Sequence, residues 1–173
     1  MLCKFMNPSA VVLLVEDRTD DVMLILRTFE RAGISNPLQV VKSGEEALQY
    51  LQGSFRFADR SRYPLPQLIL LDLKLTGMDG FEVLNWIRQE SNIRTVPVLV
   101  LTASDRIQDV NRAYTLGANS FLVKPLEFEN YEALGKLLRN YWLQIAKIPE
   151  TFSTQPGNPT EQLTGTKANS TPS

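Results

Sequence analysis

Residues 66–80 read PQLILLDLKLTGMDG, and the run from Leu68 through Asp72 decides the fold. Four aliphatic residues lead straight into an aspartate, and the segment leaves through glycines at 77 and 80. A buried charge without a partner is costly. Asp72 is therefore either a turn former at the end of a strand or a carboxylate held there for chemistry.

Working outward, four more short apolar runs alternate with helical patterns. Residues 10–15 (AVVLLV) form a β-branched run bounded by charge. Between 19 and 32, Val22, Ile25, Leu26 and Phe29 recur at helical spacing, and Gly33 closes that helix. Residues 38–41 give a second strand. Ser43 and Glu46 then have capping-box spacing and open a helix through Leu51. Asp79 with Glu82 repeats the signature ahead of Phe81, Val83, Leu84 and Ile87. The pattern predicts a fourth strand over 96–101 (VPVLVL) and a helix over 105–116 that stops at Gly117. A fifth strand over 120–123 and a long final helix over 126–145 follow. Strands apolar on both faces, separated by helices, imply a parallel sheet covered on both sides. The expectation is an α/β chain, a doubly wound (βα)5 three-layer sandwich. The stretch 52–66 carries Phe55, Phe57, Tyr63 and three arginines. It is longer than such a connection needs and reads as a partly ordered surface loop.

Composition bounds the function. The chain has 173 residues, enough for one ordinary domain and an appendage. Residues 9–148 hold the pattern, after a short lead over 1–8. Of the 25 residues over 149–173, 19 are Ser, Thr, Pro, Gly, Asn or Gln, too polar a stretch to offset the entropy of ordering. That tail is expected to be disordered. A net charge of −1 gives no electrostatic reason to expect nucleic acid or an anionic membrane as partner. Cys3 is the only cysteine, which leaves no intrachain disulfide and no cysteine zinc site. No apolar run approaches the ~20 residues of a membrane span, and the first residues lack a signal peptide's apolar core. A cytoplasmic protein is the expectation. Histidine is absent, which removes Ser-His-Asp and Cys-His catalysis, histidine metal ligation and histidine phosphotransfer within this chain. Carboxylates, hydroxyls, lysine and a hard metal remain.

In open parallel sheets, ligands sit beyond the carboxyl ends of the strands. There the sequence places Glu16-Asp17 after strand one, Asp72 after strand three, Thr102 after strand four and Lys124-Pro125 after strand five. Each alone has a plain explanation. Glu16-Asp17 and Thr102 could cap helices, Lys124 could be an ordinary exposed lysine, and Asp79 is assigned to capping. Together they converge on one edge. Three carboxylates around one point repel unless a cation compensates, and oxygen-only ligands select Mg²⁺ or Mn²⁺. A metal-bound carboxylate flanked by lysine and threonine suits acceptance of a phosphoryl group, with the oxygens of the transferring group stabilised by cation, ammonium and hydroxyl.

At these residues the chain resembles the receiver domains of two-component response regulators. VVLLVED, LILLDLKLTGMDGFEVL, VPVLVLTA and GANSFLVKP occur in the family's order across residues 10–148. The resemblance implies a flavodoxin-like sheet of strand order 2-1-3-4-5, with Asp72 as the phosphoacceptor. It makes Asp17 the direct metal ligand, Glu16 a ligand through water and the Lys74 backbone carbonyl a further metal contact. Lys124 would contact the phosphoryl group, with a cis peptide bond to Pro125. Thr102 and Phe121 take the switch positions. Two departures stand out: Thr76 occupies a position where the family often has proline, which suggests a less rigid loop, and Phe121 replaces the commoner tyrosine. The long loop before strand three and the ending NYWLQIAKIP are similar to regulators paired with phytochrome-type histidine kinases.

The leading expectation is a single-domain regulator that takes phosphate from a sensor histidine kinase and signals to a downstream protein the sequence does not name. An aspartate-based phosphohydrolase is the alternative, but such enzymes carry a second aspartate two residues past the nucleophile, where this chain has Lys74. A pseudo-receiver that only binds a partner is another. The chain is thus expected not to be an enzyme, nor to bind nucleic acid or membrane. Leu134, Leu137, Leu138, Tyr141, Trp142 and Ile145 form a stripe too wide for one sheet face. Tyr141 and Trp142 are its aromatic members, and a homodimer through this region is expected.

Overall fold

A computed structural model describes residues 9–147 of the chain. Five parallel strands form one sheet in the order β2-β1-β3-β4-β5, as expected. They are β1 (Val12–Val15), β2 (Leu38–Val41), β3 (Leu68–Leu71), β4 (Val98–Thr102) and β5 (Ser120–Val123). The helices are α1 (Thr19–Arg31), α2 (Gly44–Gln52), α3 (Gly80–Gln89), α4 (Ile107–Thr115) and α5 (Tyr131–Leu137). Among the described residues, no helix is long and apolar enough to cross a membrane. The expected lead over 1–8 and the expected disordered tail lie outside the described residues.

The continuous apolar runs are explained by the two faces of the sheet. Successive side chains of a strand point to opposite faces. Leu13, Val15, Ile69, Leu71, Val98 and Val100 pack against α2, α3 and α4. Val12, Leu14, Leu68, Leu70, Leu99 and Leu101 pack against α1 and α5. Burying a side chain of this kind contributes roughly 1.5–3 kcal/mol, so either layer disfavours a register slip. Both predicted caps are present. Ser43 Oγ accepts from the Glu46 N–H at 3.1 Å. The Asp79 carboxylate accepts from the Glu82 N–H at 2.9 Å, and Glu82 returns the bond to the Asp79 N–H at 3.0 Å.

Two expectations are corrected. The final segment is not one α-helix from 126 to 145. A 3-10 turn (Phe128–Asn130) leads into α5, and a π-helical turn (Leu138–Trp142) ends it. There Leu143 N–H donates to the Leu138 carbonyl and Ala146 N–H to the Tyr141 carbonyl. Five-residue spacing puts Leu138 and Leu143 on the buried face, where α-helical spacing would have put Ile145. Nor is 52–66 partly ordered. Phe57 is buried against Tyr50 and Tyr63, with ring centroids 5.2 and 5.1 Å away. The Arg60 guanidinium donates to the carbonyls of Tyr50, Leu51 and Tyr63 at 2.7, 2.7 and 3.1 Å. It thereby satisfies acceptors that the end of α2 leaves open.

Candidate functional site

Register brings the strand-end residues together. Val15 is level with Leu71, so Glu16 and Asp72 emerge side by side. Thr102 is level with Val123, one residue before Lys124, and the Lys124 N–H donates to the Thr102 carbonyl at 2.8 Å. Glu16, Asp72, Thr102 and Lys124 are all buried.

The Lys124 ammonium is the centre of the arrangement. Nζ lies 2.6 Å from Asp72 Oδ2, 2.5 Å from Glu16 Oε2 and 2.9 Å from Asp21 Oδ2. One oxygen from each of these three acids lies within 4.8 Å of the others. Asp72 Oδ1 accepts from the Lys74 N–H at 3.0 Å. Burial pushes the Asp72 carboxyl up, but Lys124, the Lys74 N–H and the Thr102 hydroxyl together outweigh it and hold it below the usual range. Burial dominates at Glu16, whose carboxyl is raised despite its own bond to Lys124. Burial lowers the Lys124 ammonium, yet the three carboxylates keep it well above the ordinary lysine range.

Asp17 behaves differently from the other acids. Its Oδ2 accepts from the Thr76 N–H at 3.0 Å and from the Thr76 hydroxyl at 2.6 Å. Its Oδ1 is buried and has no hydrogen-bond partner among the described residues. The loop holding Thr76 is accordingly well tied, contrary to the looseness expected from the missing proline. Met78 N–H donates to Glu45 Oε1 at 3.0 Å, and Gly77 takes a left-handed φ of 83° between these anchors.

The peptide bond between Lys124 and Pro125 is trans, which corrects the expected cis bond. Trans is the favoured isomer even before proline, and here it accompanies a lysine that reaches all three acids. Phe121 is half-buried against the core beside α3 and α4, and its N–H donates to the Tyr114 hydroxyl at 3.2 Å. Tyr141 and Trp142 lie on the π-helical turn, outside this site. Tyr141 is 54% exposed, while Trp142 packs on the core between α1 and α5.

Sequence reading missed Asp21 and Thr76. Asp20 and Asp21 look like ordinary first-turn acids that complement a helix dipole. Thr76 looks like an exposed loop residue. Only the doubling of acids at 20–21 hinted at a second role.

Residues 12–135 match the family described as response regulator receiver domain. The chain belongs to that family, whose members are signalling proteins. It is 41% identical over 139 residues to the probable methanogenesis regulatory protein FilR2 of Methanothrix harundinacea, covering 80% of this chain and 87% of that one. It is 34% identical over 143 residues to response regulator Rcp1 of Synechocystis, covering 83% and 95%. Among solved structures, response regulator RPA3017 in red light signalling of R. palustris superposes with a TM-score of 0.78 at 36% identity, over 82% of this chain and 99% of that one. The phosphorylated cyanobacterial phytochrome response regulator RcpA gives 0.76 at 30% identity, and the Mn²⁺-bound form of Rcp1 gives 0.74 at 33%, each with the same coverage.

Proposed function

We propose that this chain is a single-domain response regulator that accepts a phosphoryl group on Asp72 from a sensor histidine kinase of the phytochrome type, in the cytoplasm. The observation that carries the reading is Lys124 Nζ at 2.6 Å from Asp72 Oδ2, inside a ring of acids. A carboxylate kept ionised while buried is a nucleophile with little water to shed. An Asp72 oxygen attacks phosphorus, and the bond from phosphorus to the kinase's group breaks. Lys124, already at that carboxylate, is placed to take up the phosphoryl oxygens. The buried Thr102 hydroxyl at the end of β4 would then bond the new group.

The donor set fits a divalent cation. Glu16, Asp21 and Asp72 gather within 4.8 Å of one another around the Lys124 ammonium, and the neighbouring Asp17 Oδ1, buried without a hydrogen-bond partner among the described residues, is free to take a cation. Asp17, with Glu16 and Asp72 and the Lys74 carbonyl, would hold Mg²⁺, which supplies charge neutralisation at the transferring group. The Mn²⁺-bound relative supports this choice of chemistry.

Residue 74 is an exposed lysine, so no carboxylic acid stands there to drive turnover, and the chain signals rather than hydrolyses. The receiver unit over 9–148 would carry the message by its surface to a downstream protein, with no nucleic acid or membrane partner. Phosphorylation would favour a homodimer through α4, β5 and α5. A small phosphodonor with Mg²⁺ should add one acid-labile phosphoryl group to the wild type and none to Asp72→Asn. Equal labelling of the two, read by intact mass, would refute the site.

A further inference from the structure

The two oxygens of the Asp17 carboxylate keep different company. Oδ2 receives both donors of Thr76, at 3.0 Å from the backbone and 2.6 Å from the hydroxyl. Oδ1 is buried with no hydrogen-bond partner among the described residues. Two donors on one oxygen stop the carboxylate from turning Oδ1 back toward a donor or water. A buried carboxylate oxygen without a partner is costly, and a cation is the partner that removes the cost. The anchors of the loop fix Thr76 in turn, because Met78 N–H is held by Glu45 two residues later. A proline at 76 would have neither N–H nor hydroxyl, so both bonds come from the threonine.

We propose that Thr76 is a positioning residue for divalent-cation binding, pinning Asp17 Oδ2 so that Oδ1 is the oxygen left for the metal. This rests on the reading of Asp17 as a cation ligand. Partners that orient a ligating carboxylate are typically worth 10–100-fold in metal affinity. Titration of the full chain with Mn²⁺, following free Mn²⁺ by electron paramagnetic resonance, measures binding without any phosphoryl transfer. Thr76→Val, which loses the hydroxyl and keeps the N–H, should weaken Mn²⁺ by about 10-fold. Thr76→Pro, which loses both donors, should weaken it further. Thr76→Ser should bind close to wild type. Thr76→Val and Thr76→Pro binding as tightly as wild type, or more tightly, would overturn the positioning role while leaving Asp17 a ligand. Asp17→Asn with undiminished Mn²⁺ affinity would instead overturn the ligand reading and the proposal with it.

Discussion

Lys124 neutralises three carboxylates from separate stretches of the chain, and no other salt bridge among the described residues joins all three. Removing one member of a buried ion cluster leaves the others uncompensated, at a cost of about 3–5 kcal/mol. Lys124→Met should therefore lower stability by ~3 kcal/mol without divalent cation. It should also gain more from added Mg²⁺ than the wild type does, because the cation takes over the neutralisation. Thermal melts with and without Mg²⁺ check this, and a variant as stable as wild type in chelator would contradict it. The pKa directions order the acid titration of the cluster. Glu16 is raised and Asp72 lowered, so falling pH protonates Glu16 first. Asp72 contributes stability above the usual carboxylate range that is lost as pH falls through its depressed value. Glu16 works the other way, favouring the fold while protonated and losing that advantage as pH rises through its raised value. At this scale the sequence showed which residue types meet, because strand ends in a parallel sheet share one edge. It did not show that Lys124 also reaches Asp21, or that Asp17 turns to Thr76. Those depend on the path of a loop and on side-chain orientation, which periodicity does not encode.

The loop from β3 to α3 shows how closely an element can depend on one glycine. A Cβ on Gly80 would lie 2.2 Å from the Asp72 carbonyl oxygen and 2.6 Å from the Leu73 Cα. Both are backbone atoms, so the first turn of α3 would have to move away from Asp72, the proposed phosphoacceptor. Gly80→Ala should cost about 1–3 kcal/mol as an overpacking change, and it should slow phosphorylation of Asp72 by more than the stability loss explains. Folded protein labelled at the wild-type rate would show that the contact is only a packing matter. The elements themselves were legible because strand and helix periods differ, and each observed strand starts or ends within two residues of its expected bounds. Helix α5 was not. Gly135 inside it lies within 2.9 Å of Thr28 Cγ2, counted from where its Cβ would be, which brings α1 close. The π-helical turn then changes which residues face inward. The 52–66 segment escaped for a related reason: its small core needs Tyr50 from α2, and its arginine serves carbonyls rather than solvent.

Across the whole molecule, the two helical layers leave one flank rich in exposed apolar side chains. Ile107 and Tyr114 on α4, Val123 on the edge strand β5, Leu126, and Leu137 with Tyr141 at the end of the chain's described part are all exposed. This flank is wired to the site. The Lys124 N–H holds the Thr102 carbonyl, and the Phe121 N–H holds the Tyr114 hydroxyl, so β5 links the Thr102 end of β4 to α4. A shift of Thr102 toward a phosphoryl group would thus be felt where the apolar residues lie. Phe57 and Tyr63 of the 52–66 loop are committed to the core layer with α2 and α3, on the opposite face from α5. A two-fold dimer on this flank would bury the same residues from both copies. Tyr141 is the better probe of it. Trp142, stacked edge-on against Tyr141 at 5.1 Å, is half inside the α1–α5 core, and its truncation would disturb the fold. Sedimentation of wild type and Tyr141→Ala, each with and without phosphodonor, should show a dimer tightened by phosphorylation. The variant should weaken it by about 1–2 kcal/mol, while Trp142→Ala should mainly lower the melting temperature. A wild type that stays monomeric at high micromolar concentration in both states would leave phosphorylation at Asp72 standing and place the output of the module in a different partner.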